Sequence, residues 1–196
     1  VTDDAAPLAG TAAVVLAAGA GSRFSSAEDA SHKLLAELHG HPVVWWSTVA
    51  ALEAGIGPVW VVTGATNLAG ALPAGVVSVE NAEWASGQAS SLRTAVSKAR
   101  QAGLKAIVVG LADQPLIGSA AWQSVAASSS PIAVATYNGK LRNPVKLSSM
   151  VWALLPTTGD EGARSLIKNR PDLVEEVPCV GEPADIDTRE DLTRWS

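Results

Sequence analysis

Residues 14–24 read VVLAAGAGSRF, an apolar run followed by two glycines, a serine and an arginine, and these residue types in this order suit an anion. Successive backbone N–H groups of Gly19, Ala20, Gly21 and Ser22 can form a concave nest, because glycine reaches the positive-φ conformations that such a concavity needs. Arg23 adds a fixed cation whose planar fork of donors matches phosphate. The string is not the dinucleotide pattern G-x-G-x-x-G, which would need glycine at Phe24, nor the triphosphate loop G-x-x-x-x-G-K-[ST]. Taken alone, it fits a phosphate loop of another kind and a tight structural turn equally well.

Carboxylates stand at two further places. Asp113 follows the apolar run 106–112, AIVVGLA, where a strand end points its side chain into the crevice above a sheet. Such an aspartate suits magnesium, which is commonly held by one or two carboxylates plus substrate phosphates. The alternative is an Asx-turn, or a cap for a helix beginning near Gly118. Asp185 and Asp187 are two residues apart, so an extended segment aims both the same way. Thr188 followed by Asp191 has the spacing of a capping box that starts a final helix.

These residues need a frame that brings strand ends together. Strand-like runs occur at 12–16, 59–64, 76–80, 106–112, 132–137 and 143–148, and segments with helical spacing lie at 43–54 and 91–102. In the second helix Leu92, Val96 and Ala99 share a face opposite Arg93, Ser97 and Arg100. Alternating strands and helices predict a mostly parallel sheet between helical layers, a three-layer α/β/α Rossmann-like arrangement. The run Tyr137-Asn138-Gly139-Lys140 signals a hairpin, so the sheet is expected to be mixed.

With 196 residues, the chain has the size of one domain with a single large core. Its composition is 47% hydrophobic and 17% charged, which is that of a globular protein. The net charge of −5 gives no general attraction to nucleic acid or to an anionic membrane. The lone Cys179 fits a reducing compartment. The acidic start VTDDAAPLAG is the reverse of a secretory signal, and no apolar run approaches the about 20 residues of a membrane helix. A cytoplasmic protein is expected.

In order along the chain, LAAGAGSRF, Lys33-Leu34-Leu35, NAEWASGQASSLRTAV (81–96), LADQP (111–115), GDEGARSL (159–166) and DIDTREDL (185–192) resemble the MobA-like nucleotidyltransferases, and most of all the molybdenum cofactor cytidylyltransferases. The resemblance spans nearly the whole chain and implies the nucleotide-diphospho-sugar transferase-like fold. It also implies magnesium-dependent transfer of a nucleoside monophosphate from a triphosphate to an acceptor phosphate, with release of pyrophosphate. Carried over residue by residue, it gives Leu16, Ala17, Ala18, Gly19, Gly21, Ser22 and Arg23 as the loop around the triphosphate and Lys33 as a second phosphate cation. Asp113 becomes the main metal ligand and Asp187 the second. The LAAG opening favours CTP over GTP. Asp160 and Arg164 fall in the acceptor-side segment of the family, where Arg164 would hold an anionic acceptor and Asp160 would orient it; a surface turn with a free arginine accounts for them as well. Gly64, Ser90 and Ser91 can offer contacts around the base, the serines doubling as N-caps, and Trp84 can line the acceptor pocket.

The chain departs from the family pattern in two places. Ser25 stands where a glycine is usual, and Lys33 lies ten residues after Arg23, further than the family spacing, with Glu28 and Asp29 in the inserted stretch. Arg142-Asn143-Pro144 replaces Gly-His-Pro, which bears on a molybdopterin-like acceptor. Two other functions compete with transfer. One is an NAD(P)H enzyme like the nicotine blue oxidoreductases, which resemble the same family; the other is a non-catalytic chaperone that delivers cofactor to a molybdenum hydroxylase. His32, His39 and His41 read as loop residues.

Overall fold

The central strand β1 (Thr11–Ala17) is buried at every position, as a parallel strand covered on both faces must be. The computed structural model describes residues 10–21, 24 and 32–196; Ser22, Arg23 and the stretch 25–31, with Glu28 and Asp29, lie outside the described residues. A short ribbon follows, β2 (Glu37–Leu38) against β3 (His41–Pro42). Then come α1 (Val43–Glu53), β4 (Val59–Thr63), β5 (Val76–Glu80), α2 (Gln88–Gln101), β6 (Ala106–Leu111) and α3 (Ser119–Ala127). The chain ends with β7 (Ile132–Tyr137), β8 (Lys140–Ser148), α4 (Arg164–Asn169), β9 (Val174–Pro178) and α5 (Arg189–Trp195).

Seven strands form one sheet in the order β5-β4-β1-β6-β8-β7-β9. Only β8 runs against the others, pairing antiparallel with both β6 and β7. The mixed sheet with one reversed strand is thus as expected, and so is the hairpin that reverses it: Asn138 and Gly139 have φ of 50° and 72°, the left-handed pair that a two-residue turn between twisted strands requires. From β1 the chain builds outward through β4 to β5, then crosses back under α2 to place β6 on the other side of β1. The crevice between the carboxyl ends of β1 and β6 is therefore the topological switch point, where ligands of open α/β sheets bind.

Alternation along β1 divides the core. Ala13, Val15 and Ala17 face the layer of α1 and α3, while Ala12, Val14 and Leu16 face the layer of α2 and α4. Gly110, next to the end of β6, leaves room for the indole of Trp122 from α3; a Cβ there would lie 2.5 Å from Trp122 Cζ2. Trp60, Trp122 and Trp152 are buried and add large apolar surfaces to the core, whereas Trp45 and Trp46 are only partly buried. The strand β9 was not foreseen; it extends the β7 edge in parallel. Helix α2 begins at Gln88, three residues before the expected start, with Gly87 as its N-cap residue, which has no side chain of its own to cap the helix. Among the described residues, no helix is long and apolar enough to cross a membrane.

Candidate active site

The switch point holds a pocket of about 370 Å³, lined by Leu16 to Gly21, Lys33, Trp84, Gln88, Ser91, Asp113, Asp160 and Asp187 among others. Its floor is the loop that leaves β1. Ala65 N–H donates to Ala18 O at 3.1 Å and Ala112 N–H to Leu16 O at 3.0 Å, so the neighbouring strand ends hold this loop from both sides. Gly21 has φ 63°, a conformation in which glycine carries no strain.

Lys33 lies in a 3-10 turn, Lys33–Leu35, and reaches across the pocket. Its Nζ donates to Asp113 Oδ2 at 2.5 Å and to Asp187 Oδ1 at 2.7 Å. Burial alone would push this ammonium down, but Asp113 and then Asp187 outweigh it and hold Lys33 above the ordinary lysine value. The carboxylate of Asp113 therefore serves neither an Asx-turn nor the cap of α3, whose N-cap is Gly118 without a side-chain bond.

The other oxygen, Asp113 Oδ1, is buried with no hydrogen-bond partner among the described residues. A buried, unpartnered carboxylate oxygen is costly unless a cation or donor meets it. Among the described residues no group of three or more His, Cys, Asp or Glu is placed to hold a metal by itself. The donor set thus fits a divalent cation whose remaining ligands come from substrate phosphates and water.

Asp185 and Asp187 have different partners. Ile186 is fully buried, so its neighbours turn outward as alternation requires, and Ile186 N–H donates to Asp113 O at 2.8 Å, tying the segment to the end of β6. Asp187 faces Lys33. Asp185 instead accepts from Gln114 Nε2 at 2.9 Å. Desolvation first, and the charge of Asp113 next, push the Asp185 carboxyl above the usual range. Thr188 and Asp191 form the reciprocal capping box that starts α5.

Of the other expected site residues, Trp84, Ser91 and Asp160 line the pocket, and Gly64, Ser90 and Arg164 do not. Ser90 and Ser91 are not N-caps, because the helix starts before them. Their hydroxyls accept from Asn81 Nδ2 at 2.8 and 3.0 Å, and of the two only Ser91 lines the pocket. Gly64 is not among the lining residues but lies beneath one of them. A Cβ there would come within 2.6 Å of Trp84 Cβ and 2.9 Å of Ala18 Cβ, so its smallness lets Trp84 close over the loop. Asp160 accepts from Gln88 N–H at 3.3 Å, and Gly159 O from Ala89 N–H at 3.0 Å. The Gly159-Asp160 turn thus caps α2 from a distant part of the chain, satisfying donors that a helix start leaves open. Arg164 lines a second, smaller cavity of about 50 Å³ with Gln88, Asn143 and Glu161.

The residues that sequence reasoning missed are His32 and Gln114. His32 Nε2 is 3.0 Å from Gly19 O, and its Nδ1 accepts from Leu34 N–H. Gln114, only 3% exposed, also takes a bond from Asn143 Nδ2 at 3.0 Å. A polar side chain beside Asp113 was the signal for Gln114; for His32 the only signal was its adjacency to Lys33.

An open sheet with one reversed strand, with a glycine-bearing loop and carboxylates at its switch point, is the frame of a nucleotide-binding α/β protein. The chain belongs to the MobA-like NTP transferase domain family, whose model matches residues 13–175. Purine catabolism protein PucB from Bacillus subtilis (strain 168) is 36% identical over 110 residues, a stretch that covers 54% of this chain and 54% of that protein. A nucleotidyl transferase from Methanothermobacter thermautotrophicus superposes with a TM-score of 0.78 at 25% identity, over 95% of each chain. The manganese complex of Rv0371c from Mycobacterium tuberculosis H37Rv superposes with a TM-score of 0.71 at 27% identity, over 94% of this chain and 97% of that one.

Proposed function

We propose that the chain transfers a nucleoside monophosphate, with CMP favoured, from a nucleoside triphosphate to a small phosphorylated acceptor of the molybdopterin kind, in the cytoplasm and with Mg2+. The observation that carries this reading is the convergence of Asp113, Asp187 and Lys33 at the mouth of a glycine-floored pocket. In the reaction an acceptor phosphate oxygen forms a bond to the α-phosphorus as the bond from that phosphorus to the β-phosphate oxygen breaks, and pyrophosphate leaves. The barrier is set mostly by bringing anions together and by charge on the leaving group, so positioning and neutralisation suffice. No side-chain nucleophile is required.

Each residue has a part in that scheme. Backbone N–H groups of the β1 loop cradle phosphate oxygens, and Lys33 supplies mobile positive charge. Arg23, outside the described residues, is proposed as a second cation from the resemblance alone. Asp113 and Asp187 are the residues that would hold magnesium, whose chemistry is to neutralise phosphoryl oxygens and orient the reactants. Trp84 and Ser91 bound the pocket on the side where base or acceptor must lie. The choice of CTP rests on the Leu16-Ala17-Ala18-Gly19 opening.

The test is thermal unfolding with CTP, GTP, ATP and NADPH, each with Mg2+ or EDTA, for the wild type and Asp113→Ala. A ligand at about 100 times its Kd stabilises by about 2.7 kcal/mol. A magnesium-dependent shift with CTP that the variant loses supports the proposal. A shift with NADPH alone favours the oxidoreductase reading and overturns it.

The long spacing between Arg23 and Lys33 favours a second reading, in which the scaffold delivers cofactor to a molybdenum hydroxylase without turnover. Binding to such an enzyme that survives Asp113→Ala, with no pyrophosphate released by the wild type, would support it.

A further inference from the structure

We propose that His32 is a positioning residue that ties the phosphate loop to Lys33 and so compensates for the long spacing between Arg23 and Lys33; the inference rests on the transfer reading above. The imidazole makes two bonds with opposite requirements. Gly19 O can only accept, so Nε2, 3.0 Å away, carries the proton. Leu34 N–H can only donate, so Nδ1 is bare. One neutral tautomer satisfies both partners. Burial is the largest cause and lowers the pKa of His32; the Gly19 bond opposes it, and the Lys33 charge adds a lesser lowering.

The rest of the residue is committed as well. His32 is the N-cap of the turn that carries Lys33, and its carbonyl accepts from Leu35 N–H at 2.9 Å. A Cβ on Gly21 would lie 3.2 Å from His32 Nε2 and 3.2 Å from Lys33 Cγ. Imidazole and lysine stem therefore lie together over the floor of the pocket.

This arrangement answers a problem posed by the sequence. Each added residue between Arg23 and Lys33 raises the entropy lost when the lysine is brought back to the loop. Fixing the residue before Lys33 to Gly19 sets the origin of the lysine side chain, whatever the inserted stretch does. The long flexible stem then has to search only its own rotamers to reach the carboxylates or a phosphate.

Two readouts test the tie. The first is reductive methylation of the ligand-free protein, followed residue by residue by mass spectrometry, with Lys98, Lys105, Lys140 and Lys168 as internal controls. His32→Ala is expected to raise the labelling rate of Lys33 severalfold and leave the controls unchanged. The second is steady-state turnover, in which His32→Ala raises KM for the triphosphate by about three- to tenfold, the worth of one lost hydrogen bond, and changes kcat less. His32→Asn can still cap Leu34 N–H but is too short for Gly19, whereas His32→Gln can reach Gly19. Recovery with Gln and not with Asn is the expected pattern. Unchanged Lys33 labelling in His32→Ala, or full recovery with Asn, overturns the proposal. Wild-type protein that binds no triphosphate overturns the transfer reading on its own, while the labelling still decides whether His32 seats Lys33.

Discussion

Lys33 Nζ lies 2.5 Å from Asp113 Oδ2, although 80 residues separate the two in sequence. The pair joins the turn after the β1 loop to the end of β6 across the switch point, and Asp187 closes the triangle. Asp113→Asn keeps the shape of the side chain and removes its charge. Because Lys33 retains Asp187, the fold is expected to persist. Pyrophosphate release from CTP and Mg2+ in the presence of the phosphorylated acceptor should fall by about 10²–10³-fold, the scale of losing one electrostatic contact in a preorganised site. Near-wild-type release by this variant would remove Asp113 from the chemistry.

Lys33→Met addresses the same triangle from its positive corner. The side chains of Lys33, Asp113 and Asp187 are 14%, 19% and 29% exposed, so the variant leaves two poorly hydrated carboxylates facing each other. A loss of about 1–2 kcal/mol in EDTA is expected, less than for a fully buried broken pair. Divalent cation should restore more stability to the variant than it adds to the wild type. The sign with pH follows from the raised pKa of Lys33: its contribution is complete below the ordinary lysine value and disappears as pH rises through the raised one. Unfolding temperatures of the two proteins should therefore converge at high alkaline pH; curves that stay parallel would show that the ammonium is not what stabilises the site.

Gly64→Ala tests whether Trp84 is seated by the absence of a side chain. The added methyl would meet Trp84 Cγ at 2.8 Å and Ala18 Cβ at 2.9 Å, and neither belongs to the free end of a flexible chain. Overpacking of this kind costs about 1–3 kcal/mol. The tryptophan emission should shift as Trp84 moves, and KM for the triphosphate should rise as Ala18 is pushed into the pocket. Unaltered emission with full stability would place Trp84 elsewhere.

How much of this was legible in the sequence depends on whether the signal was local. The strands at the centre of the sheet were readable because each is a short β-branched run buried on both faces, and Asn138-Gly139 announced the reversal at β8. The edge strand β9 was not, since Glu175 and Glu176 break its apolar pattern; they are exposed, as charges that protect a sheet edge must be. The start of α2 was misplaced because its cap is supplied by Gly159 and Asp160, more than half the helix-to-terminus distance away in sequence, so Ser90 and Ser91 looked like local caps. Asp113 was readable from its place after a strand. The preference of Asp187 over Asp185 for Lys33 was not, because it depends on the tertiary bond from Gln114.

That bond is open to a substitution of a single atom. Gln114 Oε1 accepts from Asn143 and its Nε2 donates to Asp185, so the amide has one orientation, and it links the segment with Asp185 to the strand that borders the Arg164 cavity. Gln114→Glu preserves the bond from Asn143 and turns the other end from a donor into an acceptor facing a carboxylate. At neutral pH the two acids repel, and a loss of about 1–3 kcal/mol is expected for the unmet buried group. As pH falls, the pair takes up one shared proton, which restores the bond, so its folded pKa lies above the unfolded one and stability returns on acidification. Urea unfolding of the variant and the wild type at neutral and mildly acidic pH measures this. A variant as stable as the wild type at both would mean that the amide is turned the other way and that Asp185 is held by something else.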